Sequence, residues 1–536
     1  MYTRKKVAQL IASLSIEEKV GQLFILAFSG EDIDYAIELI RERHVGGFYI
    51  TDDNAHNIKD ATKLAETLQH QAALRACNAP LILGVDQEGA WGILAKETDL
   101  GPGNLALGKV DDVNITQEMY RVFAQQMQLI GYNMLLSPCA DVNANPDNPI
   151  IGQRAFGEIP EHVAKHVQAA IKGIANGNNL SCAKHFPGHG DTHTDTHQAL
   201  PVVDKSLEEL MNEDLKPFIS AIAQNVSMIM SSHIKYPQID ADYPATLSYK
   251  ILTKLLKHTL GFQGLIITDS MNMWAMRKNY PPVESAILAL QAGAHLVMLS
   301  EEHYENGTTN YKEIQMHTIE GVIEAVKTGR LNETVINTAL SHVLCHKYIH
   351  VKTAAALPHL SEKECEYISN ASALKAIKVL RNKINVWPLT QKHFYLTFAA
   401  DPKGYDSIVN SRGIGPNDAR VARDVILASL EQSHCNFTYI DFEQFNKQLT
   451  NKTQFKSQDP FIIFTEDYPL PGETFDVKNQ IDKVKSALEI WSEQVVVIGM
   501  RSDYELESYS SLSTYICAYS SRIVSANAIV KLLLND

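Results

Sequence analysis

The sequence contains no run of about eighteen apolar residues, the length a membrane-crossing helix needs. Its start carries Arg4, Lys5 and Lys6, but Val7 to Val20 is interrupted by Gln, Ser, Glu and Lys, so no signal-peptide core is present. Positive charge is in deficit. Lys and Arg number 48 against 62 Asp and Glu, and the net charge of −14 argues against a broad electrostatic attraction to nucleic acid or an anionic membrane. Cysteine is sparse: the seven are an odd number without paired spacing, which fits reduced thiols in a cytoplasm rather than a disulfide framework. There is no Walker-type Gly-Lys-Ser/Thr loop, no G-x-G-x-x-G after a strand, and no low-complexity tract or tandem repeat. What remains is a globular composition, 45% hydrophobic and 21% charged, in a chain of 536 residues, enough for more than one domain.

The first 350 or so residues alternate strand-like and helix-like segments. Strand candidates are Leu23–Phe28, Gly46–Thr51, Leu81–Asp86, Met134–Pro138, Ser181–His185, Ser227–His233, Gly264–Asp269 and Leu296–Ser300. Most are short apolar runs without strict alternation, as parallel strands covered on both faces require. Helical patterns such as Ile58–Ala76 and Leu207–Gln224 separate them. Eight such units predict a (β/α)8 barrel of the TIM type, with its active site at the C-terminal ends of the strands.

Polar residues fall at those ends. Strand three ends in Asp86-Gln-Glu-Gly89, and strand four leads to Asp141, Asn143 and Asn148–Arg154. Strand five gives Lys184-His185, strand six His233, and strand seven Thr268-Asp269-Ser270. The longest polar stretch is Lys184–His197, K-H-F-P-G-H-G-D-T-H-T-D-T-H. Gly188 and Gly190 flank His189 and free the backbone there. By itself the stretch admits three readings: a solvated polar loop, a zinc site built from His185, His189, His193 and His197, or a catalytic dyad in which Asp195 orients His197. Five polar strand ends on one face weigh against the first. Gly101-Pro-Gly-Asn104 follows no strand and reads as a turn. His162 and His166 are spaced like helical metal ligands, but the sequence offers no obvious third ligand, and they read as a solvated helix face.

Near Ala354–Leu360 the pattern changes. A helix is expected from Glu362 to about Asn382, followed by strands at Phe394–Phe398, Phe437–Asp441, Phe461–Phe464, Val495–Gly499 and Tyr515–Ala518, with helices at Ala419–Gln432 and Lys478–Glu493. The division predicted is a barrel over residues 1–353, a helical linker over 354–390 and a smaller α/β domain over 391–536.

Four motifs in this order resemble glycoside hydrolase family 3, in its NagZ-like β-N-acetylglucosaminidase (β-N-acetylhexosaminidase) branch. They are V-D-Q-E-G at Val85–Gly89, N-P-x-x-G-x-R-x-F-G at Asn148–Gly157, K-H-F-P-G-H-G-D-T-x-x-D-[ST]-H at Lys184–His197, and I-T-D-S-M-x-M at Ile267–Met273. The resemblance is strong over about residues 8–350 and loose beyond. It implies a retaining glycosidase that releases terminal β-linked N-acetylglucosamine from cell-wall fragments or chitin oligosaccharides in the cytoplasm. By the resemblance, Asp269 is the nucleophile, Asp195 and His197 are the acid/base dyad, and Asp86, Arg154, Lys184 and His185 bind the sugar. No cofactor or metal is expected, and the partner is an amino-sugar oligosaccharide or muropeptide. The chain departs from the family after Gly89: relatives usually continue Gly-Arg-Val with a further Arg three residues on, whereas here Ala90-Trp91-Gly92-Ile93 stands.

The residues fit that chemistry. Asp269 can attack the anomeric carbon and form a glycosyl ester, with nearby Lys184 and Arg154 keeping it ionised. Imidazole titrates near neutrality, so His197 can give a proton to the leaving oxygen and then take one from water. The blander readings are that Asp269 caps the following helix, that Arg154 and Lys184 pair within the pocket, and that His197 is an exposed loop residue. The alternatives are a metal-dependent hydrolase on the same barrel, a family 3 β-glucosidase, and a carbohydrate-binding protein that has lost catalysis.

Overall fold

The computed structural model describes residues 4–30, 32–148, 150–192, 200–300, 310–350, 358–383, 393–399, 421–441, 459–465 and 476–534. Asp195 and His197, expected in the site, lie outside them, as does His193.

Eight parallel strands form the first sheet. They are β1 (Phe24–Leu26), β2 (Gly47–Ile50), β3 (Ile82–Val85), β4 (Met134–Leu135), β5 (Leu180–Phe186) and β6 (Met228–Ser231), then, after a small antiparallel hairpin of β7 (Lys235–Tyr236) and β8 (Asp240–Pro244), β9 (Leu265–Thr268) and β10 (Val297–Leu299). The order is β10-β1-β2-β3-β4-β5-β6-β9. A parallel bridge between Ile267 and Leu296, with the Thr268 N–H donating to the Leu296 carbonyl at 3.0 Å, closes it into a barrel. Every residue of these eight strands is buried, which explains the near-continuous apolar runs: one face fills the barrel and the other packs on helices.

The helices follow their sequence signals. Asn57 caps the helix Ile58–Ala73 through the Asp60 N–H, and Ala61, Leu64, Ala65, Leu68 and Ala72 form its buried stripe. The helix expected over Leu207–Gln224 is two helices, Leu207–Asn212 and Leu215–Ala223. Pro217 is the reason: its ring conflicts with the carbonyl of Glu213, four residues earlier, and the chain leaves helical geometry there. Among the described residues no helix is long and apolar enough to cross a membrane.

The second sheet comprises β11 (Lys378–Asn382), β12 (Phe394–Phe398), β13 (Phe437–Tyr439), β14 (Phe461–Thr465), β15 (Val495–Gly499) and β16 (Thr514–Cys517), in the order β11-β16-β15-β14-β12-β13. Its strands are parallel except β11, which runs antiparallel to β16. Side chains alternate across it. Phe461, Ile463, Val495 and Val497 pack on one face, and Ile462, Phe464, Val496 and Ile498 on the other. The helix expected from Glu362 to Asn382 stops at Ala376, and Lys378–Asn382 is an edge strand instead. An aliphatic run with an open sheet edge beside it gains backbone pairing that local helix propensity does not offset. The segment 354–390 is therefore not a helical linker throughout.

Gln315, fully buried, ties the ends of the neighbouring strands β1 and β10. Its amide donates to the carbonyls of Ala27 at 2.8 Å and Leu299 at 3.1 Å, and its oxygen accepts from the Tyr35 hydroxyl at 2.9 Å. Gln315→Leu takes the Gln315 amide from the Ala27 carbonyl and the Tyr35 hydroxyl, and leaves the Leu299 carbonyl with the Ala27 N–H. It should cost on the order of 2–4 kcal/mol, read as a lowered thermal midpoint; an unchanged midpoint would mean that β1 and β10 hold together without this bridge.

Candidate active site

The C-terminal ends of the barrel strands bring the predicted residues together. Just after β3 stand Asp86 and Glu88, and β5 supplies Lys184 and His185. Arg154 ends a short 3-10 turn, Gly152–Arg154, in the loop after β4. Glu88 has no solvent exposure and holds both cations. Its carboxylate accepts from Arg154 through Nε at 3.0 Å and Nη2 at 2.9 Å, a bidentate pair, and lies 2.7 Å from Lys184 Nζ. Lys184 also pairs with Asp86 Oδ1, while Asp86 Oδ2 accepts from the Tyr49 hydroxyl at 2.8 Å. Burial pushes the Glu88 pKa up, but Arg154 and Lys184 outweigh it and hold the carboxyl well below the usual range. Lys184 and Arg154 lose from burial and gain more from the two carboxylates, so both are held firmly cationic. Pairing of Arg154 and Lys184 within the pocket is thus what the structure has, and it leaves the Asp86 carboxylate at the pocket edge.

Asp141, fully buried after β4, organises the next segment. It accepts from the backbone N–H of His185 at 3.1 Å, from that of His189 at 2.7 Å, and from His185 Nδ1 at 2.8 Å. The proton on His185 is thereby placed on Nδ1, and Nε2 accepts from Arg154 Nη2 at 3.3 Å. With a guanidinium on one nitrogen and a proton on the other, His185 is a poor metal ligand here. Asn148 and Asn145 pin the following residues through the His189 carbonyl at 2.9 Å and the Thr192 carbonyl at 3.0 Å. Gly190 is required for closeness rather than for freedom: a Cβ there would lie 1.5 Å from the Val142 carbonyl oxygen. Gly188, by contrast, does adopt a positive φ of 142°.

Asp269 follows β9 and is half-buried. Its Oδ1 accepts from the Ser270 N–H at 2.7 Å, and the next helix begins at Trp274, so it does not act as that helix's cap. Burial raises its pKa, but His185, His233, the Ser270 N–H and Lys184 together lower it further, keeping the carboxylate ionised. His233 is fixed between Thr246 Oγ1 and the Ser270 carbonyl, each at 2.9 Å. Sequence reasoning gave no role to Glu88, Asp141 or His233, although all three were visible as polar strand ends. The pairings that define them cross 66, 44 and 37 residues of chain.

The departure after Gly89 has a structural counterpart. Trp91 lies over the Arg154 guanidinium, 3.7 Å from ring centroid to Cζ, a cation–π contact. The carbonyl of Ala90 accepts from Arg522 of the C-terminal unit. Tyr504 of the same unit accepts from Asn143 at 3.0 Å and donates to Glu158 at 2.6 Å.

Residues 15–345 match the N-terminal domain of glycosyl hydrolase family 3, and the chain belongs to that family. Within it, the chain is similar to β-hexosaminidases. Beta-hexosaminidase A of Pseudoalteromonas piscicida is 32% identical over 324 residues, 57% of this chain and 54% of that protein, so the match spans about half the length of that relative. The beta-hexosaminidase of Idiomarina loihiensis is 32% identical over 251 residues, 46% of this chain and 74% of its own. Among solved structures, a family 3 β-N-acetylglucosaminidase from Paenibacillus superposes with a TM-score of 0.82 at 26% identity, covering 98% of this chain and 97% of that one.

Glu88→Gln tests the network. Because the folded-state pKa of Glu88 is depressed, its stabilisation is present above the ordinary glutamate range, near 4.3, and is lost as pH falls through and below it. The variant leaves Arg154 and Lys184 under-compensated and should lose roughly 3–5 kcal/mol at neutral pH. Its stability should also fall less steeply than the parent's on acidification. Thermal melts across pH 3–8 read both effects; parallel curves for the two proteins would contradict the assignment.

Proposed function

We propose that the chain is a retaining β-N-acetylhexosaminidase acting on terminal β-linked N-acetylglucosamine of cell-wall fragments or chitin oligosaccharides. Asp269 attacks the anomeric carbon while the glycosidic oxygen leaves with a proton from His197, oriented by Asp195. The product is a glycosyl ester on Asp269. The imidazole, now neutral, takes a proton from water, whose oxygen displaces the carboxylate and regenerates the β-configured sugar. Asp86, Arg154, Lys184 and His185 hold the glycone. The observation that supports this most is the half-buried Asp269 at the end of β9, whose pKa His185, His233, the Ser270 N–H and Lys184 lower against the effect of burial. Where relatives carry arginines, at Trp91 and Leu94, Trp91 over Arg154 and Arg522 at the Ala90 carbonyl are the groups that remake the pocket wall in this reading. The reading also takes residues 1–353 as the catalytic unit and 391–536 as an accessory one. It places the protein in the cytoplasm, in keeping with seven cysteines that are all free.

Four measurements test the proposal. A fluorinated aryl glycoside should trap the ester, and peptide mapping should find the label on Asp269, while Asp269→Asn should lose nearly all turnover; label on another residue ends the assignment. His197→Ala should cost on the order of 10²–10⁴ on disaccharides and less on the first step with nitrophenyl glycosides, whose leaving group departs with little acid help. Near-normal disaccharide turnover in that variant would mean that another group supplies the proton. Among aryl β-glycosides, N-acetylglucosamine should give a higher kcat/KM than glucose.

A further inference from the structure

A second cluster of ligand atoms lies behind the pocket. His162 and His166 stand one turn apart on the helix Pro160–Asn176 and so share a face, with ring centroids 4.5 Å apart. That face is not solvated as the sequence suggested: His166 has no solvent exposure. The sequence offered no third partner, and the fold supplies one. The helix Asn104–Val110 ends beside the two rings, and its C-cap, Asp111, takes the left-handed conformation, φ 57°. Asp111 Oδ1 then lies 3.4 Å from His162 Nδ1. One ligand atom from each of the three residues lies within 4.8 Å of the others.

Hydrogen bonding indicates where the protons are. His162 Nε2 is 3.0 Å from the Gly108 carbonyl oxygen, which can only accept, so Nε2 carries a proton and Nδ1 is the nitrogen that faces Asp111. His166 Nδ1 is 2.8 Å from Thr116 Oγ1, while its Nε2 is buried and has no hydrogen-bond partner. In the tautomer whose Nδ1–H donates to Thr116, that Nε2 is a bare lone pair. Two imidazoles and a carboxylate thus bring one ligand atom each into a cluster that a cation can hold. Each imidazole is held from behind through its other nitrogen, as metal-binding histidines are.

We propose that Asp111, His162 and His166 bind a divalent transition-metal ion of the zinc type, with water completing its coordination on the exposed Asp111 side. Two imidazoles and one carboxylate select zinc, cobalt or nickel over magnesium or calcium, which prefer all-oxygen sites. The site is a fastener. A Cβ on Gly108 would lie 1.8 Å from the Phe156 carbonyl oxygen, and the Phe156 ring stacks on His166 at 5.3 Å. At the other end of the same short helix, Asn104 donates to the Arg154 carbonyl at 2.6 Å. The ion would tie that helix to the one that follows Arg154, and so steady the segment that carries it.

The test uses the full chain, stripped with chelator and dialysed against zinc, with a parallel cobalt titration followed by visible absorption. One equivalent of zinc should bind, cobalt should give d–d bands of a low-coordinate nitrogen–oxygen site, and zinc should raise the thermal midpoint. Asp111→Asn and His162→Gln, both at partly or fully exposed positions, should weaken zinc binding at least tenfold and abolish the rise. A His193→Gln/His197→Gln double variant should keep the equivalent. Absence of stoichiometric binding at 100 µM free zinc, equal binding by the Asp111 and His162 variants, or loss in the double variant would overturn the proposal.

Discussion

The fully buried Glu88 carboxylate is the charge on which the pocket depends. A carboxylate without water must be compensated, and here two cations do it from two other parts of the barrel, Arg154 after β4 and Lys184 on β5. Once that triad is formed, the positions of the loop after β4 and the end of β5 are set relative to β3. Asp86, two residues before Glu88, then meets Lys184 from the pocket side and Tyr49 from β2. Removing the central charge would leave like charges facing one another, which is why the network behaves as a unit rather than as separate ion pairs.

Asp141 does for the backbone what Glu88 does for the side chains. By collecting the N–H groups of His185 and His189 it fixes the course of the chain as it leaves β5, and by accepting from His185 Nδ1 it sets the tautomer that faces Arg154. Both carboxylates sit at strand ends, where barrel geometry exposes side chains to a shared pocket while the backbone stays rigid. Asp269 enters the same field from β9, and its ionised state follows from its neighbours rather than from solvent.

The second α/β unit is more than an appendage. Arg522 reaches the Ala90 carbonyl, Tyr504 bridges Asn143 and Glu158, and Leu105 and Ala106 of the barrel pack into the core of the second sheet. These contacts fall on the loops after β3 and β4, the two that carry Glu88 and Arg154. The wall of the pocket is therefore shaped from both units.

Much of this was legible in the sequence because it depends on short-range regularity. Apolar runs at barrel spacing gave all eight strands, since burial on both faces imposes a composition that needs no partner to be seen. The motifs named Asp86, Arg154, Lys184, His185 and Asp269, and the fold gathers them at one end of the barrel. What the sequence could not reveal depends on distance in space. The strand at Lys378–Asn382 exists because β16, more than a hundred residues on, offers an open edge. Glu88 and Asp141 acquire their roles from partners 66 and 44 residues away. Asp111 and His166 approach each other only because two helices pack side by side. Local propensity and pattern are written residue by residue, whereas compensation of a buried charge is a property of the packed chain, and only the tertiary structure decides it.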